Sequence, residues 1–322
     1  MAKILVTGGL GFIGHKVVAL LEQQGHEVVV VDNLTDYGII PAEELAWLVE
    51  QRRRKIRTQH IYKDDIAWLN MGRIIQEHSI NTVVHLASFP RQKVVNNNPQ
   101  WGSRTMSEGL LNLLEASTQQ GVRKFVYVSS SMVYGNFKDT YSEGVDENHN
   151  CNPLGQYGIM KLAGEWLVKD YARRTSIAYT ILRPSAVYGP LDVEDRVVSK
   201  FLLTAMRGGE IQVNGDKESL DFTYVDDAAD GIATASISDD TDNMTYNITR
   251  GSSRTLLEAA ELAISIVGSG TIRVNPADNN FPSRGQLNTT RAYQDFGYMP
   301  QTNIEQGFEE YYAWLKDSIY RT

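Results

Sequence analysis

Cysteine is almost absent from this sequence, because Cys151 is the single cysteine among 322 residues. One cysteine excludes an internal disulfide, and neither it nor the six histidines have the spacing of metal ligands. Long apolar runs are absent too: the N-terminal run covers only residues 4–6, and none reaches the length of a membrane span or signal peptide. We therefore predict a cytoplasmic protein, in a reducing compartment, with no metal site and no membrane association.

An excess of positive charge is also lacking, since 31 basic and 39 acidic residues give a formal net charge of −8. This balance argues against an electrostatic nucleic-acid binder. The one basic cluster, residues 52–55, is predicted to be a solvated helix C-terminus. With 42% hydrophobic and 22% charged residues the chain is typical of a soluble globular protein, and its length favours one large domain with a smaller one.

Glycines are spaced regularly near the N-terminus. An apolar strand over residues 4–7 runs into a turn with Gly8, Gly11 and Gly14, which also contains Phe12 and Ile13, and an amphipathic helix follows. Glycines let the backbone approach a phosphate closely, and the start of a helix offers unpaired N–H groups. The order of elements therefore predicts a binding site for a dinucleotide pyrophosphate.

A carboxylate follows the second predicted strand at the expected distance. Residues 27–31 form that strand, and Asp32 and Asn33 come directly after it. An acidic residue about 20 positions beyond the glycine turn accepts hydrogen bonds from the ribose hydroxyls and repels a 2′-phosphate. The sequence therefore predicts NAD as the cofactor in preference to NADP.

Short apolar runs alternate with amphipathic segments over the first 185 residues, which predicts an α/β fold with a doubly wound parallel sheet of Rossmann type. The predicted strands cover residues 4–7, 27–31, 57–62, 82–86, 124–128 and 178–182, and the predicted helices cover 43–55, 66–77, 103–120 and 156–175. We predict a cofactor-binding domain over residues 1–183 and a smaller α/β substrate lobe over 184–322, with the segment around 222–236 able to pack on the first domain. Further elements are predicted as helices over 194–207, 255–267 and 303–318 and strands over 211–213 and 221–225.

A phenol and an ammonium are placed on one helix face by Tyr157 and Lys161, which are four residues apart. Upstream, the predicted strand over 124–128 ends in Ser129, Ser130 and Ser131. Because the carboxyl ends of parallel strands face the cofactor crevice, these hydroxyls are predicted to lie beside the nicotinamide. The arrangement favours catalysis over an ordinary half-buried helix face.

The chain resembles the extended short-chain dehydrogenase/reductase superfamily, and within it the NAD-dependent nucleotide-sugar epimerases and dehydratases. The resemblance covers nearly the whole chain and rests on the segments 7–14, 85–88, 128–135, 157–161, 182–190 and 221–227. It implies a catalytic set of Ser130, Tyr157 and Lys161. It also implies a homodimer that pairs the helices over 103–120 and 156–175. Further cofactor contacts implied by the family are Asp65, Ile66, Leu86, Ala87 and Ser88.

The chemistry implied by the resemblance makes Tyr157 the base. Its pKa must fall by about three units, roughly 4 kcal/mol, for efficient proton transfer at neutral pH. An ammonium about 4 Å away supplies that much at an effective dielectric of about 20, and the cationic nicotinamide adds to it. Ser130 would hold the oxygen as it becomes a carbonyl.

Several positions depart from the family pattern and bear on the substrate. Ser131 and Met132 occupy the places of the Asp-Glu pair of 4,6-dehydratases, which argues against dehydration by that route and favours a 4-epimerase. Leu220 replaces an arginine that binds the substrate diphosphate, and Ala186 and Met106 replace two asparagines. The retained candidates for substrate binding are Arg284, Ser131 and Arg91, with Lys93 as a further basic residue on the same loop as Arg91.

We therefore expect an NAD-dependent nucleotide-sugar 4-epimerase. The first alternative is a net dehydrogenase or reductase of the same superfamily whose substrate has no diphosphate, which the change to Leu220 keeps open. The second is a non-catalytic NAD-binding sensor, although a sensor has no need of Tyr157 as a base.

Overall fold

The computed structural model describes residues 1–89, 92–138, 142–192 and 195–320. Its strands are β1 (Lys3–Thr7), β2 (Glu27–Val31), β3 (Ile61–Tyr62), β4 (Thr82–His85), β5 (Lys124–Val128), β6 (Ala178–Pro184), β7 (Val187–Tyr188), β8 (Glu210–Asn214), β9 (Ser219–Asp221), β10 (Thr223–Tyr224), β11 (Met244–Ile248), β12 (Ser253–Thr255) and β13 (Thr271–Asn275). Its α-helices are α1 (Gly14–Gln23), α2 (Ala42–Arg53), α3 (Met71–Glu77), α4 (Gln92–Asn97), α5 (Pro99–Ser103), α6 (Leu110–Gln119), α7 (Gln156–Arg174), α8 (Val197–Met206), α9 (Val225–Ile237), α10 (Leu256–Val267), α11 (Thr290–Phe296) and α12 (Ile304–Lys316).

The large sheet within the described residues has seven strands in the order β11-β6-β5-β4-β1-β2-β3, and every neighbouring pair is parallel. β1 lies in the interior, where Ile4 is paired with Val28 of β2 and Thr82 of β4. The chain winds outward from β1 in one direction and then continues from β4 in the other. The crevice outside the carboxyl ends of β1 and β4 is therefore the switch point where α/β proteins bind ligands. The predicted doubly wound fold is confirmed.

Helices cover both faces of this sheet, which explains why its strands read as apolar runs. On one face, Ile4 and Val6 pack with Val17 of α1 and Ile232 of α9. On the other face, Leu5 packs with side chains of α3, α6 and α7. Within the described residues, none of the helices combines the length and apolar character needed to cross a bilayer.

The second half of the chain is divided between this sheet and a smaller lobe. α9 and β11 return to the large sheet, whereas Phe222 and Tyr224, which precede α9, pack in the core of the smaller lobe. The lobe packs α8, α10 and α12 around a core of its own, with the strand pairs β8–β13 and β9–β12. Thr255 and Glu258 form the predicted capping box of α10. The domain boundary between 183 and 184 stays a prediction.

Some predicted elements were wrong in extent. The predicted strand over 57–62 is reduced to β3. The helix over 66–77 begins only at Met71, because Asn70 caps it by accepting from the Arg73 N–H. The helix over 103–120 contains a π-helical stretch, Arg104–Gly109. The strand over 221–225 is divided, because β9 pairs antiparallel with β12 whereas β10 pairs parallel with β7 and runs into α9.

Candidate active site

A long cavity lies at the switch point of the sheet. It begins at the glycine turn between β1 and α1, passes the ends of β2 and β4, and reaches the end of β5 and the start of α7. Its lining includes Gly8, Gly11, Phe12, Ile13, Gly14, Asp32, Asn33, Ile66, Leu86, Ala87, Ser88, Ser130, Tyr157 and Lys161. The fold therefore brings the predicted cofactor residues and the predicted catalytic residues to one cavity.

The glycine turn is too compact for side chains. Gly8 has φ +74°, and a Cβ on it would lie 2.7 Å from the Ala87 nitrogen. A Cβ on Gly14 would lie 2.0 Å from the Gly8 carbonyl oxygen. Within the described residues no hydrogen bond uses the N–H of Phe12 or Ile13, and α1 has no side-chain cap. These free donors at a helix start, beside bare backbone, fit a dinucleotide pyrophosphate.

Asp32 braces this turn and faces the cavity at the same time. Its Oδ2 accepts from the Leu10 N–H at 2.9 Å, and its Oδ1 accepts from the Leu34 N–H at 2.9 Å. Burial raises the pKa of Asp32, and these backbone hydrogen bonds oppose the rise. A ribose hydroxyl can still donate to the remaining lone pairs of the carboxylate. The position fits NAD and disfavours an added 2′-phosphate.

The other predicted cofactor residues divide into two groups. Ile66, Leu86, Ala87 and Ser88 line the cavity. Asp65 does not line it, and its Oδ2 instead accepts from Asn33 Nδ2 at 3.1 Å. Direct adenine contact by Asp65 stays a prediction.

Tyr37, which the sequence reasoning missed, closes one side of the cavity. Its hydroxyl donates to the Ser88 carbonyl at 3.3 Å, and its ring lies 4.8 Å from that of Phe89. The segment after β2 thus crosses to the end of β4. No spacing in the sequence indicated this contact, because 51 positions separate the two partners.

The predicted catalytic residues gather at the far end of the cavity. Lys161 is buried, and its Nζ donates to the Val128 carbonyl at 2.8 Å. The same Nζ lies 6.0 Å from the centre of the Tyr157 ring. Ser130 lies at the end of β5, and its Oγ accepts from the Met132 N–H at 3.2 Å. The hydrogen bond to the Val128 carbonyl therefore fixes the position of Lys161 Nζ relative to the Tyr157 ring.

Burial disfavours the charged forms of both Tyr157 and Lys161, and neighbouring side chains oppose this effect. Burial raises the pKa of Tyr157, whereas the Ser130 hydroxyl and the charges of Arg196 and Arg284 lower it. Burial lowers the pKa of Lys161 to about 7, and the Glu165 carboxylate opposes this. The protein alone thus leaves the phenol protonated at neutral pH, and Lys161 is only partly an ammonium there.

A buried ion pair supports this end of the cavity. Glu165 Oε2 and Arg183 Nη2 are 2.6 Å apart, and Arg183 Nε donates to Glu165 Oε1 at 2.9 Å. Ser129 Oγ donates to the same Oε1 at 2.6 Å. The pair ties the end of β5, next to Ser130, to α7 and β6. Glu165 follows Lys161 by four residues on one helix face, a spacing from which it could have been found.

The predicted substrate residues are only partly brought together. Ser131 is buried, donates to Ser185 Oγ at 3.0 Å, and does not line the cavity. Arg284 lies near Tyr157, and burial lowers its pKa to about 10, so it is a cation at neutral pH. Arg91 lies outside the described residues. Lys93 is exposed on α4.

The expectation of a solvated basic cluster is wrong for Arg52, which is 5% exposed. Its Nη2 donates to the Leu191 carbonyl at 2.7 Å, and its Nη1 donates to the Leu10 carbonyl at 3.4 Å. Burial lowers the pKa of Arg52, and the charges of Asp192 and Asp32 oppose this. Arg52 is buried because of tertiary packing, since the last turn of α2 lies between the glycine turn and the segment that contains Leu191.

Comparison with known proteins agrees with this geometry. A family model described as the NAD dependent epimerase/dehydratase family matches residues 4–249. The chain is 29% identical over 327 residues to an uncharacterised UDP-glucose epimerase of Bacillus subtilis, with 99% of both chains covered.

Two solved structures extend the likeness to three dimensions. The UDP-glucose 4-epimerase of Thermotoga maritima, determined with UDP-glucose, is 29% identical, with a TM-score of 0.85 over 98% of this chain and 99% of that one. The UDP-glucuronic acid 4-epimerase of Bacillus cereus, in complex with UDP-glucuronic acid and NAD, is 26% identical, with a TM-score of 0.87 over 98% and 99%. The resemblance and the NAD cofactor predicted from the sequence are confirmed: the chain belongs to the NAD-dependent epimerase/dehydratase family, of extended short-chain dehydrogenase/reductase type.

Proposed function

We propose that this protein is an NAD-dependent UDP-sugar 4-epimerase. The observation that carries the proposal is the meeting of Ser130, Tyr157 and Lys161 at one end of a cavity whose other end fits a dinucleotide. The two similar solved structures, both 4-epimerases determined with UDP-sugars, support the substrate class. Ser131 and Met132, where a dehydratase has acids, supply no group for eliminating water.

Tyr157 is the base in this proposal. NAD would be held along the cavity from the glycine turn to Tyr157 and would supply a reversible hydride acceptor for the sugar carbon, so that the carbon could be inverted. Tyr157 takes the proton of the sugar hydroxyl and gives it back in the reverse step. Ser130 donates a hydrogen bond to the oxygen as it becomes a carbonyl. Lys161, held on the Val128 carbonyl, favours the phenolate when it is protonated.

Conversion of defined substrates tests the proposal. The purified protein, loaded with NAD, is incubated separately with UDP-glucose and UDP-glucuronic acid, and products are followed by NMR. We expect inversion at C4 of at least one substrate with no accumulation of NADH, because hydride and proton both return. Net NADH formation would instead indicate the dehydrogenase alternative, and tight NAD binding without turnover of either nucleotide sugar would indicate a sensor.

We further propose a cytoplasmic homodimer that pairs α6 and α7 with their copies. These helices carry exposed apolar side chains, namely Leu111, Ile159 and Trp166. Exposed apolar surface of this kind favours association between copies. We also propose that residues 1–183 form the cofactor-binding domain and 184–322 the substrate lobe, with α9 and β11 returned to the first.

A further inference from the structure

One buried arginine in the wall of the cavity belongs neither to the predicted cofactor residues nor to the predicted catalytic residues. Arg52 lies in the last turn of α2, lines the cavity and is 5% exposed. A guanidinium is costly to remove from water unless hydrogen bonds and opposite charges compensate for the loss of solvent. The groups that Arg52 contacts therefore indicate why a charge is kept at this position.

The guanidinium of Arg52 bridges two carbonyls that are far apart in the sequence. Its Nε and Nη2 donate to the Leu191 carbonyl at 3.2 and 2.7 Å, and its Nη1 donates to the Leu10 carbonyl at 3.4 Å. Leu10 and Leu191 are themselves buried. Because the donors of an arginine lie in one rigid plane, a single side chain can fix two separate groups relative to each other. Arg52 thus sets the position of the glycine turn relative to the segment that contains Leu191.

The backbone of Leu10 is held on both of its polar groups. Asp32 Oδ2 accepts from the Leu10 N–H at 2.9 Å, while Arg52 donates to the Leu10 carbonyl. The next carbonyl, that of Gly11, accepts from His15 Nδ1 at 3.0 Å. The two N–H groups that fit a pyrophosphate follow directly along the chain. Their direction therefore depends on how Leu10 and Gly11 are held.

The other end of the bridge lies in an unusual piece of backbone. Leu191 has φ +69°, in the left-handed region that leucine rarely adopts. Such a conformation persists where the surroundings fix it, and two hydrogen bonds from Arg52 end on this carbonyl. Asp32 and His15, which also hold the turn, come from the elements that flank it. Arg52 instead ties the turn to a part of the chain that lies 139 residues away from it.

The charge of Arg52 acts on the same end of the cavity. Burial raises the pKa of Asp32, and the positive charge of Arg52 opposes this rise together with the backbone hydrogen bonds. Asp32 is the residue predicted to accept from the adenosine ribose. Arg52 therefore favours the ionised form of a carboxylate that both braces the turn and faces the cofactor.

We infer that Arg52 is a positioning residue for the cofactor: by bridging Leu10 and Leu191 it holds the glycine turn in the conformation that receives the pyrophosphate of NAD. It acts through the backbone of Leu10, on which one of its donors is engaged. The inference concerns the cofactor alone, so it applies whichever reaction the protein catalyses.

The affinities for NAD and for ADP-ribose test this role. ADP-ribose has the adenosine and the pyrophosphate of NAD but no nicotinamide. Both ligands are titrated by calorimetry into NAD-free wild-type protein and into the Arg52→Met variant, which loses the donors and the charge. We expect Arg52→Met to bind each ligand about tenfold more weakly or worse, and by similar factors, because both ligands need the preformed turn.

Arg52→Lys separates the bridge from the charge, and it carries the test if Arg52→Met does not fold. Lysine keeps the positive charge near Asp32, but an ammonium on a flexible stem lacks the planar donors that fix two carbonyls at once. We expect Arg52→Lys to bind NAD about fivefold more weakly than the wild type or worse. Wild-type affinity in Arg52→Lys would show that the bridge between Leu10 and Leu191 is not required.

Arg54→Met is the matched control, because Arg54 directly follows α2 and pairs with Glu50 at 2.9 Å on the exposed surface. It removes the same charge from the same end of the helix and should leave both affinities unchanged. Melting temperatures of the NAD-free proteins report stability separately, since a merely structural Arg52 would lower the melting temperature and leave the affinities of the folded protein intact. That result in Arg52→Met would overturn the inference, as would a loss confined to NAD or an equal loss in Arg54→Met.

Discussion

Tyr157 lies where its surroundings alone do not make it a base at neutral pH. Burial raises its pKa, and the opposing groups, Ser130 and the two arginines, only reduce that rise. Lys161 is itself held near its own titration point, with a pKa of about 7. The remaining stabilisation of the phenolate must come with the bound cofactor, whose nicotinamide is positively charged when oxidised. The site is therefore expected to be poorly basic until NAD is bound.

Replacing Tyr157 by phenylalanine tests its role as the base. Tyr157→Phe removes only a hydroxyl, and we expect turnover to fall by about two orders of magnitude or more because general base catalysis is lost. Melting temperature and NAD content should stay close to those of the wild type. The measurement is turnover of whichever UDP-sugar the wild type epimerises. Near wild-type turnover in a normally folded variant would remove the catalytic assignment.

Lys161 makes stability depend on pH in a predictable direction. Its pKa of about 7 in the folded protein lies below the ordinary lysine value of 10.5, so between these pH values the unfolded chain binds a proton that the folded chain does not. The burial cost is therefore full below pH 7 and disappears as the pH rises toward 10.5. We expect Lys161→Met to gain stability relative to the wild type at pH 7, and to lose several kcal/mol of that gain by pH 10.

Urea unfolding of both proteins across this pH range measures the difference. Lys200→Met, which removes an exposed lysine, serves as the control and should show no comparable trend. A stability difference between Lys161→Met and the wild type that stays constant from pH 7 to pH 10 would contradict a depressed pKa for Lys161.

Asp32 is expected to set the cofactor preference. Its carboxylate lines the cavity at the end of β2, where the 2′-phosphate of NADP would meet a negative charge. We predict that the wild type binds NAD at least tenfold more tightly than NADP, and that Asp32→Asn reduces this ratio while an amide oxygen can still brace the turn. Calorimetric titration with both cofactors is the measurement. Equal affinities in the wild type would refute the assignment.

Individual site residues could be predicted from the sequence wherever the residues that act together are close along the chain. The glycines, Asp32 and the pair Tyr157 and Lys161 lie in short segments with fixed spacing, and all of them line the cavity. Arg52 and Arg196 could not be predicted in the same way. Arg52 reaches a carbonyl 139 residues away, and nothing local distinguishes it from the solvated arginines beside it.

At the scale of one element, the predicted role of the turn between β1 and α1 in cofactor binding can be tested. We predict that Gly14→Ala severely weakens NAD binding and lowers the free energy of unfolding by more than about 1 kcal/mol. The added Cβ would lie 2.0 Å from the Gly8 carbonyl oxygen, so the backbone of the turn would have to move. Gly72→Ala is the matched control within α3, since the nearest atom to its Cβ is 3.6 Å away. There we expect a gain of up to about 1 kcal/mol from helix propensity.

Thermal melting and cofactor titration of both glycine variants measure these effects. If Gly14→Ala binds NAD like the wild type, the close packing of the turn is not required for the cofactor. If both variants lose NAD binding alike, the effect is general and does not belong to the turn.

Most of the longer helices and strands could be predicted from the periodicity of apolar residues, whereas the residues at which they begin and end depend on tertiary pairing. Six of the seven strands of the large sheet were predicted, because their sequences carry apolar runs. The seventh strand, β11, was missed, because Thr245 and Asn247 interrupt its apolar residues. The segment over 221–225 was predicted as one strand, but its residues belong to two strands, β9 and β10, in two different small sheets. Asp221 accounts for part of this: its carboxylate accepts from the N–H groups of Leu287 and Gly251, so the chain is fixed between the two pairings.

On the scale of the whole molecule, α2 joins the cofactor-binding part to the C-terminal helix. Trp47 of α2 lies 6.0 Å from Trp314 of α12 and 6.5 Å from Tyr320, measured between ring centres. Arg52, one turn further along α2, spans from the glycine turn to Leu191. Asp192, next to Leu191, attracts Arg52 and pairs with Arg196. The glycine turn is thus linked to the segment that precedes α8 by charged side chains from distant parts of the chain.

The proposed homodimer is the remaining property of the whole molecule. Ile159 is 53% exposed and Trp166 is 65% exposed on α7, and seven residues separate them, so they lie on one helix face. Leu111 of the neighbouring α6 is 37% exposed. We predict that the wild type is a dimer and that Trp166→Glu weakens it at least tenfold, about 1.4 kcal/mol, because burying a carboxylate at the apolar contact is unfavourable.

Light scattering at micromolar concentration, with dilution to follow dissociation, measures the dimer. Tyr293→Glu is the control, because Tyr293 is 58% exposed on α11 and the substitution adds the same charge on a different helix. The Tyr293→Glu protein should have the same dimer mass in light scattering as the wild type. NAD content should be normal in both variants, since neither residue lines the cavity. A wild type that is monomeric throughout, or a Trp166→Glu protein as dimeric as the wild type, would show that copies do not pair through this face.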